Sequence, residues 1–483
     1  MRLTLRDVYA ALDYGAANGG DTIVFTGIST DTRTLQPGDL FVALTGPTTD
    51  GHQHIAAALR GGAAGLIVSQ NVVASLSTPV LRVPDTQIAY GLLARYWRDQ
   101  FDIPVIGVTG SVGKTTVKEM LAAALSPLGP VLKTAASQNN ETGVPKALLQ
   151  LTPEHKAAVI EMGMRGSGQI AYLCGIARPT VGVITVIADN HLELLGSLDA
   201  IADAKGELLE ALPEDGLAIL NAADPYYPYL EAKTKAEIAP YGILSAADIQ
   251  QTETGWKFTV RGVPVEIRSL SQHDIGNALA ALTVAEALGV SLEAAAEALR
   301  AYAPPPMRMN SVKTEWGGTV LNDAYNAAPA SVATALQTLA SSQGGRKIAF
   351  LGDMRELGTR AEEAHRELGP IIAGLGGLDA LYTVGGLAAL IPDATQRFAD
   401  SDEAARFVRE AFAGQPGDTI LVKGSRAMTM EKVAVALEPT PARSSLSPPE
   451  TGRVGVGAEL ASDLETLRPP VSGGPLRSKE VGS

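Results

Sequence analysis

Seven consecutive residues, Gly110, Ser111, Val112, Gly113, Lys114, Thr115 and Thr116, have the types and order of a phosphate cradle. The two glycines let backbone N–H groups close around phosphate oxygens, and a helix starting at Lys114 adds the partial positive charge of its N-terminus. Lys114 is placed to reach the outer phosphates and the Thr115 hydroxyl to hold Mg²⁺. Val108 stands five residues before Gly113, so this is the shorter G-x-x-G-K-T form of the motif. The plainer alternative is a glycine-rich turn with an incidental lysine. The apolar run "VIGVT" before the loop argues against it, as do Val117, Met120, Leu121, Ala124 and Leu125 on one helical face after it. Nucleotide binding follows. The reaction stays open, because kinases, GTPases, motors and ligases all hold phosphate this way.

Two further strand-like runs end in residues that can bind a metal. "AAVIEMG" delivers Glu161, and "VGVITVIADNHLELLGS" delivers His191 just past its end. In a parallel sheet, ligands gather at the carboxyl ends of the strands. A carboxylate and an imidazole beside a phosphate-loop threonine therefore suggest a divalent cation near the phosphates. Taken singly, Glu161 reads equally well as a helix-capping or surface carboxylate, and His191 reads more readily as an ordinary loop histidine. The next segment, "SLDAIADAKGELLEAL", reads as a helix capped by Ser197, with Leu198, Ile201, Lys205, Leu208 and Leu209 on one face. A lysine inside an apolar stripe is either snorkelling to solvent or aimed into the site, as a cation or chemically altered.

The elements that must position these groups read as α/β: short β-branched runs alternate with Ala/Leu-rich helical stretches, giving parallel sheets. With 483 residues the chain fits about three domains. Residues 1–101 form a first block, with "GDLFVAL", "AGLIV" and "PVLRVP" as strands. Residues 102–304 form the phosphate-loop block, ending at three consecutive prolines. Residues 305–438 carry "TVLNDAYN", "KIAFLGDM", "ALYTVGG" and "TILVKGS". Residues 439–483 are rich in Pro, Ser and Gly, which predicts a disordered tail. The net charge of -13 disfavours nucleic acid as the main partner. No apolar stretch of about 18 residues occurs, which predicts no membrane span. The N-terminus lacks a signal-like apolar core and Cys174 is the single cysteine, so a cytoplasmic location is expected; a monomer is expected as well.

The series "TGSVGKTT", "NNETGVP", "EMGMRGSGQIA", "NHLELLGS", "DAKGELL", "HDIGNALAA", "PPPMRM", "LNDAYNAAP" and "GDMRELG" resembles the Mur ligases in motif and order. It is most similar to the branch that joins D-alanyl-D-alanine to UDP-N-acetylmuramoyl-tripeptide. The Asp-Asn-Pro-Arg motif of the sibling branch, which adds diaminopimelate or lysine, does not occur. The resemblance covers about residues 25 to 435. It implies a UDP-sugar-binding first domain, a central P-loop ATP-binding domain and a Rossmann-like third domain. The implied chemistry is ATP-dependent amide formation through an acyl phosphate. By resemblance, Gly110 to Thr116 hold the triphosphate, Thr115 and Glu161 coordinate one Mg²⁺, and His191 a second. Lys205 sits where the family carries a carbamylated lysine. Asn277 meets the adenine, and Arg308, Asp323 and Asn326 complete the nucleotide site across the proline linker. Ser29, Asp31 and Arg33 meet the uridine diphosphate, and Asn139 and Asn140 the muramoyl-peptide. The amine is expected near Asp353, Lys423 and Ser425. Gln169, Asp274 and Ala223 depart from the family pattern; none is assigned to the chemistry.

Overall fold

Six parallel strands build the central sheet of the computed structural model, which describes residues 1–14, 22–46, 48–72, 78–188 and 195–439. Val105–Thr109 lies in the middle of this sheet, between Ala157–Glu161 and Val181–Ile184. Val131–Lys133 closes one edge, and Leu217–Asn221 and Glu237–Tyr241 extend the other. Alternate residues of the middle strand face opposite layers. Ile106 and Val108 pack with Val117, Met120 and Leu121 of helix Lys114–Ala124, while Val105 packs with Ile160, Ile201 and Leu208. Every expected member of the first helical face is buried. This apolar sandwich holds the phosphate loop rigidly between two layers.

The first block carries a four-stranded parallel sheet of Gly27–Ser29, Asp39–Val42, Gly65–Val68 and Val80–Arg82. The third carries a six-stranded sheet whose Asn310–Lys313 edge strand is antiparallel and whose other strands run parallel. All ten strand runs singled out in the sequence form strands here.

Two small sheets depart from the parallel expectation, the first being the antiparallel pair Leu3–Thr4 and Val24–Phe25. Ala246–Gln251, Trp256–Val260 and Val263–Ile267 form an antiparallel three-stranded sheet. Its second hairpin turns at Arg261 and Gly262, both at positive φ, as a tight primed turn requires. The signal was present: Trp256, Phe258 and Val260 are buried and alternate with Lys257 and Thr259. The buried face joins the same core as helix Lys114–Ala124.

Helix Leu198–Glu210 begins as expected, with Ser197 Oγ accepting from the Ala200 N–H at 3.1 Å. Its stripe is narrower than expected. Leu198, in the first turn, is 39% exposed, whereas Ile201, Lys205, Leu208 and Leu209 are buried. Among the described residues no helix is long and apolar enough to cross a membrane.

Candidate active site

Glycine opens the phosphate loop because a side chain would not fit. Gly110 has φ 146°, and a Cβ there would fall 1.9 Å from Thr185 Oγ1. Gly113 caps helix Lys114–Ala124 at φ 88° with no side-chain hydrogen bond, so the first-turn N–H groups are not satisfied by a capping side chain. A Cβ at Gly113 would sit 2.9 Å from Asn277 Oδ1, which places that amide against the loop. The loop is tied to the neighbouring strand exit: Ser111 N–H donates to Val186 O at 2.8 Å, and Thr185 Oγ1 donates to Val112 O at 2.5 Å. Farther along, Ala188 N–H donates to Ser111 Oγ at 2.9 Å and Ile187 N–H to Asp224 Oδ2 at 2.7 Å. This segment leads toward His191, which lies outside the described residues.

Two lysines share one acceptor. Lys114 Nζ donates to Gly110 O at 2.7 Å, and Lys205 Nζ donates to the same oxygen at 2.9 Å. Lys205 is buried and points inward, not out to solvent. Burial, and then the neighbouring Lys114 cation, hold its ammonium well below the usual lysine range. Burial also lowers Lys114, with Glu161 opposing and Arg308 assisting. A neutral amine at Lys205 is therefore accessible.

Strand register explains why Glu161 reaches the loop, since it pairs with Val108 in the middle strand. Its carboxylate accepts from Thr115 Oγ1 at 3.0 Å and from Asn139 Nδ2 at 2.8 Å. The Thr115 hydroxyl and the buried Glu161 carboxylate are hard oxygen donors, and they fit Mg²⁺. Among the described residues no three His, Cys, Asp or Glu side chains converge, so such an ion would depend on hydroxyl and phosphate oxygens as well. That is the usual way Mg²⁺ is held beside a nucleotide. Lys205 as an ammonium would repel the ion; as a carbamate it would join the oxygen set.

A cavity of about 1020 Å³ opens over the loop, walled by all three blocks. It brings together Ser111, Val112, Gly113, Lys114, Thr115, Thr116, Asn139, Asn140, Glu161 and Lys205 with Asn277, Arg308, Asp323, Asn326 and Lys423. Arg308 crosses from the third block: its guanidinium lies 4.0 Å over the Tyr325 ring and donates to Ser137 Oγ at 3.2 Å. Lys423 Nζ pairs with Asp323 Oδ2 at 2.5 Å and donates to Asn326 O at 2.8 Å, tying the two motifs of the third block together. Asn277 donates to the buried Asp274 at 2.7 Å, one of the positions departing from the family pattern. Burial raises the Asp274 carboxyl, opposed by hydrogen bonds from Ser269 and Asn277.

Six expected residues among those described are not on this wall: Gly110, whose carbonyl is taken up by the two lysines, and Asp353, Ser425, Ser29, Asp31 and Arg33. Asp353 accepts from the Leu387 and Ala388 N–H groups at 3.0 and 2.8 Å and pairs with Arg355, so its carboxylate is occupied in shaping a turn. Ser425 accepts from Arg355 N–H at 2.8 Å and donates to Ala327 O. Ser29, Asp31 and Arg33 form their own turn in the first block, where Ser29 Oγ donates to Asp31 O and Arg33 binds the Asp31 carboxylate at 2.6 Å. Hydrogen bonds from Arg33 hold Asp31 at about 2. The cavity wall also holds residues absent from the sequence reading, among them Arg165, Tyr325 and Arg426. Lys118, fully buried beneath Glu161, was missed as well, although it lies in the apolar stripe between Val117 and Leu121 just as Lys205 does in its own.

Known proteins are similar to this chain in sequence and fold. Three family models match in sequence: "Mur ligase family, catalytic domain" at residues 24–98, "Mur ligase middle domain" at 108–285 and "Mur ligase, glutamate ligase domain" at 307–426. The UDP-N-acetylmuramoyl-tripeptide--D-alanyl-D-alanine ligase of Synechocystis sp. is 38% identical over 90% of this chain and 98% of its own. The crystal structure of MurF from Acinetobacter baumannii superposes with a TM-score of 0.81 at 31% identity, covering 90% of this chain and 99% of that one. The MurF ligase from Thermotoga maritima, solved in complex with ADP, gives 0.75 at 28% identity, covering 85% and 96%. Likeness of this extent, with three family models along the chain and relatives covered over nearly their whole length, places the chain in the Mur ligase family.

Proposed function

We infer that this chain joins D-alanyl-D-alanine to UDP-N-acetylmuramoyl-tripeptide at the expense of ATP, as the names of its relatives indicate for those proteins. The observation that carries this reading is one cavity containing a phosphate loop, a buried carboxylate and a cation from a separate block. A carboxylate oxygen is a poor leaving group, so amide formation needs prior activation. Phosphorylation of the tripeptide carboxylate by ATP gives an acyl phosphate, which the amine of D-alanyl-D-alanine attacks with release of phosphate.

Most catalysis of phosphoryl transfer comes from positioning and charge neutralisation. Lys114 has to leave Gly110 O to meet the outer phosphates, and Arg308 enters from beyond the Pro304–Pro306 linker. Closure of the third block over the central one then excludes water from the acyl phosphate. Thr115 and Glu161 would hold one Mg²⁺, His191 a second, and a carbamate on Lys205 would serve the same cations. The ions supply positive charge to the transferred phosphoryl group. Asn277, Asp323 and Asn326 serve the nucleotide, and Asn139 and Asn140 the muramoyl-peptide. Ser29, Asp31 and Arg33 would serve the uridine diphosphate end from their turn in the first block, and Lys423 is the residue of the expected amine subsite that faces the cavity.

The test is ADP release and mass-spectrometric product detection with UDP-N-acetylmuramoyl-tripeptide and a panel of amines. D-alanyl-D-alanine should be required. Stimulation by diaminopimelate or D-glutamate in its place would assign the chain to a sibling reaction.

A further inference from the structure

Lys118 is a lysine with no route to water: its side chain is 0% exposed, on the helix that the phosphate loop begins. Burying an ammonium is costly unless it is paired and hydrogen-bonded. Its Nζ lies 3.6 Å from Glu161 Oε2 and 3.1 Å from Glu119 Oε1, and donates to Ala136 O at 2.6 Å. Glu119 is engaged on its other side by Lys133. Oε2 of Glu161 is also the oxygen that accepts from Thr115. The loop that Lys118 grips at Ala136 continues into Ser137, which accepts from Arg308, and Asn139, which donates to Glu161 Oε1. One buried cation thus touches the carboxylate and the loop that joins the central and third blocks.

We propose that Lys118 is a positioning residue: an internal counter-ion that holds Glu161 when no metal is bound and thereby sets the affinity of the site for Mg²⁺. The proposal rests on the reading of Thr115 and Glu161 as metal ligands. A divalent cation arriving at Glu161 meets a carboxylate whose charge is already partly neutralised by Lys118. Its binding is weaker than at a bare carboxylate, and the site is kept in shape between turnovers. Glu119 tunes this balance, because it competes with Glu161 for the same ammonium.

The experiment is thermal melting of the full chain with ADP held constant and MgCl₂ titrated. Lys118→Met keeps length and removes charge, leaving Glu161 unpaired. It should melt lower than wild type without Mg²⁺, and its Mg²⁺ midpoint should fall by about threefold to tenfold, the size expected of a partly desolvated charge pair. Glu119→Gln, at a position nearer the surface, should shift the midpoint the opposite way, since Lys118 then turns wholly to Glu161. If Lys118→Met does not fold, the Glu119→Gln shift decides alone. A midpoint that is unchanged or lower in Glu119→Gln, or unchanged or higher in Lys118→Met, overturns the proposal. So does wild-type melting that is indifferent to Mg²⁺. Amide formation by that same wild-type chain would leave the ligase reading standing, so the two failures are distinguishable.

Discussion

Replacing Gly110 by alanine tests how the phosphate loop is built. The new Cβ would lie 1.9 Å from Thr185 Oγ1, 3.0 Å from Thr185 Cβ and 3.1 Å from its backbone N. Thr185 is not free to turn away. Its hydroxyl donates to Val112 O at 2.5 Å and its N–H to Thr109 O at 3.0 Å. Three costs add. A side chain in this positive-φ conformation costs about 1–2 kcal/mol. Losing the Thr185–Val112 hydrogen bond costs about 1 kcal/mol. Overlap left after the loop shifts costs about 1–3 kcal/mol. The expected destabilisation is therefore roughly 3–6 kcal/mol, read by urea denaturation. Because Gly110 O anchors both Lys114 and Lys205, ADP release should fall more than about 100-fold as the loop is displaced. Adding Thr185→Ala removes the clashing hydroxyl, so the double variant should be more stable than the sum of the two single effects by about 1 kcal/mol or more. A Gly110→Ala chain within about 1 kcal/mol of wild type, with normal turnover, would refute the reasoning.

Lys205→Ala should be nearly inactive, with partial recovery in acetate or another short carboxylate that can occupy the vacated space; ordinary activity without rescue would assign the lysine to packing. The pH dependence has a defined sign. Burial lowers the folded-state pKa of Lys205, so below the unfolded value the unfolded chain binds more protons. The contribution of Lys205 to stability is then present above the unfolded pKa and lost as pH falls through the folded one, and Lys205→Met should flatten that slope in melts across alkaline pH. Lys423→Met leaves Asp323 without its cation at a largely buried pair, which should cost about 3–5 kcal/mol in denaturant melts; a loss below about 1 kcal/mol would show that water replaces the lysine. Asp31→Asn frees the exposed Arg33 from its partner and should raise KM for the UDP-linked substrate with kcat unchanged; an unchanged KM would remove the turn from the substrate site.

The phosphate loop, the strands around it and the buried helix face behind it were all legible in the residues alone. Each depends on neighbours within a turn or a strand, where glycine φ freedom and the 2.0 and 3.6 periodicities act directly. Lys205 was legible for the same reason: a charge in an apolar stripe has to be explained wherever the stripe packs. Lys118 carried the same signal, yet its meaning depends on Glu161 and Ala136, which are far along the chain and arrive only through strand pairing and the loop that follows. The structure turns Asp353 and Ser425 away from the cavity because their hydrogen bonds go to backbone groups of nearby turns, a choice that composition does not reveal. It also brings Arg308 across the proline linker to Ser137, a contact between residues 171 positions apart. Local chemistry decided which groups could act; sheet order and the packing of one block on another decided which of them meet.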